Sequence, residues 1–131
     1  MQTQAKSDHL NQNLSANFKV REFLCLCCGA EGIKDDLVFH LQTVHDMLPA
    51  DHVMIITSGY RCEKHNKEIG GLEDSAHKKG LAADIAVLNS SYRFRLLKAL
   101  IRVGFKRIGI YKNFIHADLD ESKPQGVIWY G

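Results

Sequence analysis

No run of apolar residues in this sequence approaches the roughly 18 needed to span a bilayer. The opening stretch, MQTQAKSDHLNQNLSANF, has no apolar core of a secretory leader. The chain is therefore expected to be made in a cytoplasm and to reach any outside target by other means. Charge of one sign is also missing: 17 Lys and Arg against 15 Asp and Glu leave +2. So small an excess, with no long basic run, gives no electrostatic case for nucleic acid. No internal repeat is present. Nor is the chain short of apolar residues, since 45% hydrophobic and 24% charged residues exclude wholesale disorder. At 131 residues it is one domain that buries about two-thirds of its unfolded surface, enough for a core without a staple.

What is present has a clear order. Residues 1–15 are polar, rich in Gln and Asn and without periodicity, and read as a flexible tail before a domain over 16–131. Phe18, Val20, Phe23 and Leu24 suggest a short packed turn. Leu37, Leu41, Val44 and Leu48 recur at helical spacing over 35–48, and Pro49 follows. The β-branched run over 53–57 predicts a buried strand. Residues 58–80 are polar and punctuated by glycine, with room for one short helix near 62–69; irregular segments this long in compact domains are often functional. Strand returns over 81–87. Ser90 or Ser91 can cap a helix carrying Phe94, Leu97, Leu100 and Ile101 and ending at Gly104. Strands over 105–111 and 114–119 flank Lys112–Asn113 as a two-residue turn, and 127–130 is a last strand. Helices and antiparallel strands in blocks predict an α+β fold, a small antiparallel sheet flanked by helices.

Four cysteines stand out. Cys25, Cys27 and Cys28 crowd together and Cys62 is alone; two sulfurs separated by one residue with a third adjacent read as departing from the C-x-x-C spacing of a zinc knuckle. Reduced buried thiols, a disulfide from the cluster to Cys62, and a structural metal all remain open. Of the seven histidines, two lie in chemically suggestive places. His77 precedes Gly80, which lets the chain turn back toward Asp84 in Ala-Ala-Asp-Ile-Ala-Val. A carboxylate among such small and apolar neighbours is costly to bury unless paired or bound to a cation. His116 and Asp118 alternate onto one face of their strand, and the expected turn sets Gly109 opposite His116 and Arg107 opposite Asp118. A glycine there leaves space above the imidazole. Two His and one Asp form a three-ligand set with an open fourth position, the pattern of a catalytic zinc site. Against this, Asp118 could merely pair with Arg107, and Asp84 could cap a turn.

Ser58-Gly-Tyr-Arg61-Cys, His65-Asn66, Gly70-Gly71, Ser75-x-His77-x-x-Gly80-x-Ala82-x-Asp84 and Ile115-His116-x-Asp118 together resemble the zinc D-alanyl-D-alanine carboxypeptidase family. That family shares its fold with the vancomycin-resistance dipeptidases and the hedgehog signalling domain. The resemblance implies one Zn2+ held by His77, Asp84 and His116, with Arg61 stabilising a substrate oxyanion or carboxylate. It implies that Ser75 bonds substrate or loop and places Tyr60 among the substrate-binding residues. In several branches the general base lies three residues before the last histidine; here that place holds Asn113, which cannot take a proton. Asp118 is then the nearest base, or else it orients His116. The activity implied is hydrolysis of D-amino-acid peptide bonds in peptidoglycan stem peptides, as carboxypeptidase or endopeptidase, by a monomer acting at the bacterial wall in the manner of a phage lysin. The alternative is a non-catalytic zinc module that binds wall peptides or sits in a phage particle.

Overall fold

A computed structural model describes residues 8–131. The predicted tail over 1–15 lies outside these residues for 1–7. Its described part is tied to the body: His9 bonds Glu31 at 2.8 Å, Ser15 donates to Gln42, and Asn13 bridges to Lys19. A 3-10 turn at Val20–Phe23 follows, burying Val20 and Phe23 beside Phe18.

Helix α1 spans Asp35–Met47. Asp35 and Asp36 complement its amino-terminal dipole, and Leu37, Val38, Leu41 and Val44 form its buried stripe. Strand β1, Ile56–Ser58, is shorter than the expected 53–57 and lies at the sheet edge, so Val53 and Ile55 are exposed rather than buried. Helix α2 spans Glu63–Glu68, a second 3-10 turn covers Ala76–Lys79, and β2 is Ala82–Ala86. Helix α3, Ser90–Val103, is capped by Asn89, whose side chain accepts the Tyr92 N–H at 2.8 Å; neither Ser90 nor Ser91 takes that place. Gly104 closes α3 in the left-handed conformation. The buried face of α3 is Tyr92, Leu96, Ala99 and Leu100. Phe94 and Ile101, expected on that face, point to solvent, so the helix is rotated from the predicted stripe.

Strands β3 (Arg107–Ile110), β4 (Phe114–Asp118) and β5 (Val127–Tyr130) complete a sheet of order β1-β2-β4-β3-β5. The α+β class holds. Pairing is antiparallel except that β5 joins β3 in parallel, which makes the sheet mixed. Strand alternation decides what each face does. Ala83, Ile85, Ile108, Ile115 and Ala117 join Leu37, Leu41, Leu96 and Leu100 in the core. The intervening residues Asp84, His116 and Asp118 face the other way. The β2–β4 register sets Asp84 directly across from His116 and Ala82 across from Asp118. A slip of one residue would drive these polar groups into the core, so apolar burial and site assembly select the same register.

Candidate metal centre

Each of the three expected ligands arrives by a different device. Asp84 and His116 are cross-strand partners. His77 sits in the 3-10 turn, whose capping residue, Ser75, accepts the His77 N–H at 3.3 Å through its hydroxyl. Gly80 ends that turn at φ +72°, and a Cβ there would overlap the Gly32 carbonyl, so only glycine lets the chain reverse into β2. The three donor atoms converge: His77 Nε2 lies 3.2 Å and His116 Nδ1 3.0 Å from Asp84 Oδ1. All three lie within 4.8 Å of one another.

The outer nitrogens show what this set can hold. His77 Nδ1 is 2.7 Å from the Gly59 carbonyl, which only accepts, so Nδ1 carries the proton. His116 Nε2 is 2.7 Å from Asp118 Oδ2, again an acceptor. In the neutral rings both inner nitrogens therefore present lone pairs to a carboxylate oxygen. Three acceptors facing one another repel unless a cation or proton lies between them. Outer N–H groups committed to a carbonyl and a carboxylate are the usual support of metal-binding imidazoles. The residues fit a divalent ion.

Electrostatics agrees. Burial pushes the Asp84 carboxyl up, but the His116 and His77 imidazoles, which donate to it and attract it once protonated, outweigh burial and hold the group below the ordinary carboxylate range. Burial opposes charge on His116, yet bonds to Asp118 and Asp84 raise its pKa. Asp118 is held low despite burial, by His116, the Asp120 N–H and Arg107. Both of its oxygens are engaged: Oδ2 by His116, and Oδ1 by Arg107 Nε at 2.9 Å and Asp120 N–H at 3.0 Å. The predicted Arg107–Asp118 pair is thus present alongside the contact to His116.

Arg61 donates weakly to the second Asp84 oxygen at 3.4 Å and also reaches Ser58 and Asn66. Asn66, to which the motif assigned no role, is buried and holds the next loop through Leu72 O at 2.7 Å. Arg61, Ser75, His77, Asp84, His116 and Asp118 all line one open cleft of about 780 Å3. Tyr60 does not join them: its ring lies against Gly32. The space expected over His116 at Gly109 is also filled, because Trp129 and Tyr111 pack onto that glycine and Trp129 lies 5.4 Å from the imidazole. Trp129 escaped sequence reasoning, since its place depends on β5 joining β3. Of the four thiols, none of them in a disulfide, only Cys25 is buried; Cys27 and Cys28 are exposed, so the buried-thiol alternative fails for these two.

A family model described as Peptidase M15 matches residues 16–118. The chain belongs to this family. No curated protein matches it. Membership in Peptidase M15 supports a metallopeptidase, and the His77, Asp84 and His116 donor set supplies a metal site suited to the zinc dependence of M15 enzymes. The matched span ends at Asp118, so β5 and Trp129 lie outside it. No helix among the described residues is long and apolar enough to cross a membrane.

Proposed function

We propose that this protein is a zinc peptidase that hydrolyses D-amino-acid-containing amide bonds of peptidoglycan stem peptides, acting as a monomer at the bacterial wall in the manner of a lysin. The observation that carries the proposal is the pair of imidazoles whose outer N–H groups are committed to Gly59 O and Asp118 while their lone pairs meet Asp84 on a cleft wall. His77, Asp84 and His116 would hold the ion. When bound, it supplies a Lewis acid and a water of lowered pKa for attack on the amide.

The chain's own groups do the rest. Gly59 O and Asp118 fix the two imidazole tautomers. Asp118 is better suited to orienting His116 than to taking a proton, because acting as a base would require it to leave His116 or Arg107. Arg61, charged at neutral pH and facing the cleft, is placed to bind a substrate carboxylate or to share a developing oxyanion. Tyr111, Phe114 and Trp129 offer apolar walls, and Arg107 and Lys123 add basic edges suited to an acidic stem peptide.

The test is incubation of the zinc-loaded protein with purified peptidoglycan and mass spectrometry of the products. New peptide termini that vanish on chelation support the reading and name the bond. Intact peptidoglycan with bound zinc would favour the non-catalytic module, which the engagement of Asp118 and the Asn at position 113 make a specific alternative.

A further inference from the structure

Four sulfurs gather away from the cleft. The Sγ atoms of Cys25, Cys27, Cys28 and Cys62 all lie within 4.8 Å of one another, with Cys25–Cys27 at 3.6 Å and Cys27–Cys62 at 3.4 Å. We propose that they form a second, structural metal site, taking one zinc ion on four thiolates and clamping the loop over 25–30 to the segment that carries Arg61.

Spacing is the first support. Four sulfurs at a Zn–S distance of about 2.3 Å define a tetrahedron with edges of about 3.8 Å, close to the separations found here. A single disulfide would engage two of the four and leave the convergence of the others without a cause, whereas one ion engages all four. Burial does not explain it either, because Cys27 and Cys28 are exposed residues with solvent available to their side chains. The backbone is arranged around the sulfurs as well. The Cys62 N–H points at Cys25 Sγ and the His65 N–H at Cys62 Sγ, both at 3.4 Å, contacts that favour a thiolate acceptor. The loop turns tightly, with Gly29 N–H bonded to Cys25 O at 2.8 Å and Cys25 N–H to Ala30 O at 2.9 Å. Within the crowded Cys-x-Cys-Cys, Cys25 and Cys28 have the C-x-x-C spacing of a zinc knuckle, the half that sequence reading passed over. An all-thiolate set selects zinc over magnesium or calcium, which prefer oxygen.

The clamp has a consequence for the cleft. Tyr60 N–H bonds Phe23 O at 3.0 Å, Gly59 O accepts from His77, and Arg61 N–H bonds His77 O at 3.1 Å. Cys62 follows Arg61 directly. Metal on the cysteines therefore braces the strut that fixes His77 and Arg61 without itself touching substrate. The proposal stands independently of the peptidase reading.

Cobalt(II) titration of the metal-free, reduced wild-type protein tests it. A thiolate-to-cobalt charge-transfer band with tetrahedral d–d bands is expected, saturating at one equivalent of sulfur-bound metal and abolished by excess zinc. Because imidazole and carboxylate ligands give no such band, no variant has to fold for this test. Zinc analysis of His77→Ala/His116→Ala should then find one equivalent retained, and of Cys25→Ser/Cys28→Ser one equivalent at the remaining site. Absence of the sulfur band in reduced protein overturns the proposal. So does a Cys27–Cys62 disulfide in His77→Ala/His116→Ala protein purified without reductant that, once reduced, takes up no zinc. Loss of peptidoglycan cleavage alone bears on the peptidase reading and leaves this one intact.

Discussion

The two clusters of side chains that could hold a metal in this molecule are built in opposite ways. His77, Asp84 and His116 hang from a sheet: two are cross-strand partners, and the third is held by a capped turn leading into β2. All lie in or beside buried structure and are preformed by register, so the ion adds to a frame that folds without it. Cys25, Cys27, Cys28 and Cys62 hang from loops, and two of the four are exposed. Cys25 alone of the four is buried, and an ion there would act as a cross-link between the two segments. The difference separates roles: a sheet-built site can leave a corner free for substrate, whereas a loop-built, all-sulfur site spends its ligands on cross-linking.

The sharpest way to test that division is to remove one ligand from each cluster. His116→Ala should lower peptide cleavage at least about a thousandfold, several kcal/mol of transition-state stabilisation, while far-ultraviolet circular dichroism stays native. Cys25→Ser should do the reverse. Treated as a cross-link between residues 25 and 62, the cysteine-bound ion contributes about 4 kcal/mol by loop-closure entropy. Its loss should lower the melting temperature by about 15 °C in a scanning calorimeter, with cleavage at low temperature reduced far less than in His116→Ala. Equal melting temperatures for the two variants would erase the contrast. A smaller effect probes support of the sheet site: Asp118→Asn should weaken zinc binding about 10- to 100-fold in a competitive chelator titration. Full zinc affinity with cleavage abolished would instead make Asp118 the base.

The sheet site was legible in the sequence because short-range rules determine it. A two-residue connection at Lys112–Asn113 places Gly109 opposite His116, and the observed register is the same. Alternation then puts His116 and Asp118 on one face, and the motif carries His77 and Asp84 to them. The cysteine cluster was legible only as one of three open alternatives, because its closure depends on contacts such as Tyr60 N–H to Phe23 O between segments distant in sequence. For the same reason Trp129 was missed: its position over Gly109 follows from the parallel joining of β5 to β3, which no local pattern announces. The rotation of α3 about its axis differs from the expected stripe because Phe94 and Ile101 are apolar yet exposed, and a helix flanked by a single sheet and one other helix buries only one stripe. Asn89 displaced the expected serine caps because it lies one residue earlier, where its side chain reaches Tyr92 N–H.

The smallest expected effect is on pH dependence, and it distinguishes the clusters through their protons. In metal-free protein, Asp84 and Asp118 have folded pKa values below the ordinary one of about 3.9. Their contribution to stability is present above that pH and fades as pH falls through the lower folded values. His116 is raised above the ordinary imidazole value of about 6.5, so its contribution is complete below that pH and is lost as pH rises through the folded value. Metal-free protein should therefore melt highest between about pH 4 and pH 6.5 and decline on either side. Zinc takes the place of the proton between the imidazoles and Asp84, so the stabilisation it confers should grow as pH rises from 5 to 7.5. In Cys25→Ser/Cys28→Ser, which isolates the sheet site, the same rise should persist. A melting temperature that is flat across this range in the metal-free variant would mean that His116 gains nothing from its two carboxylates, and the preformed character of the sheet site would fail with it.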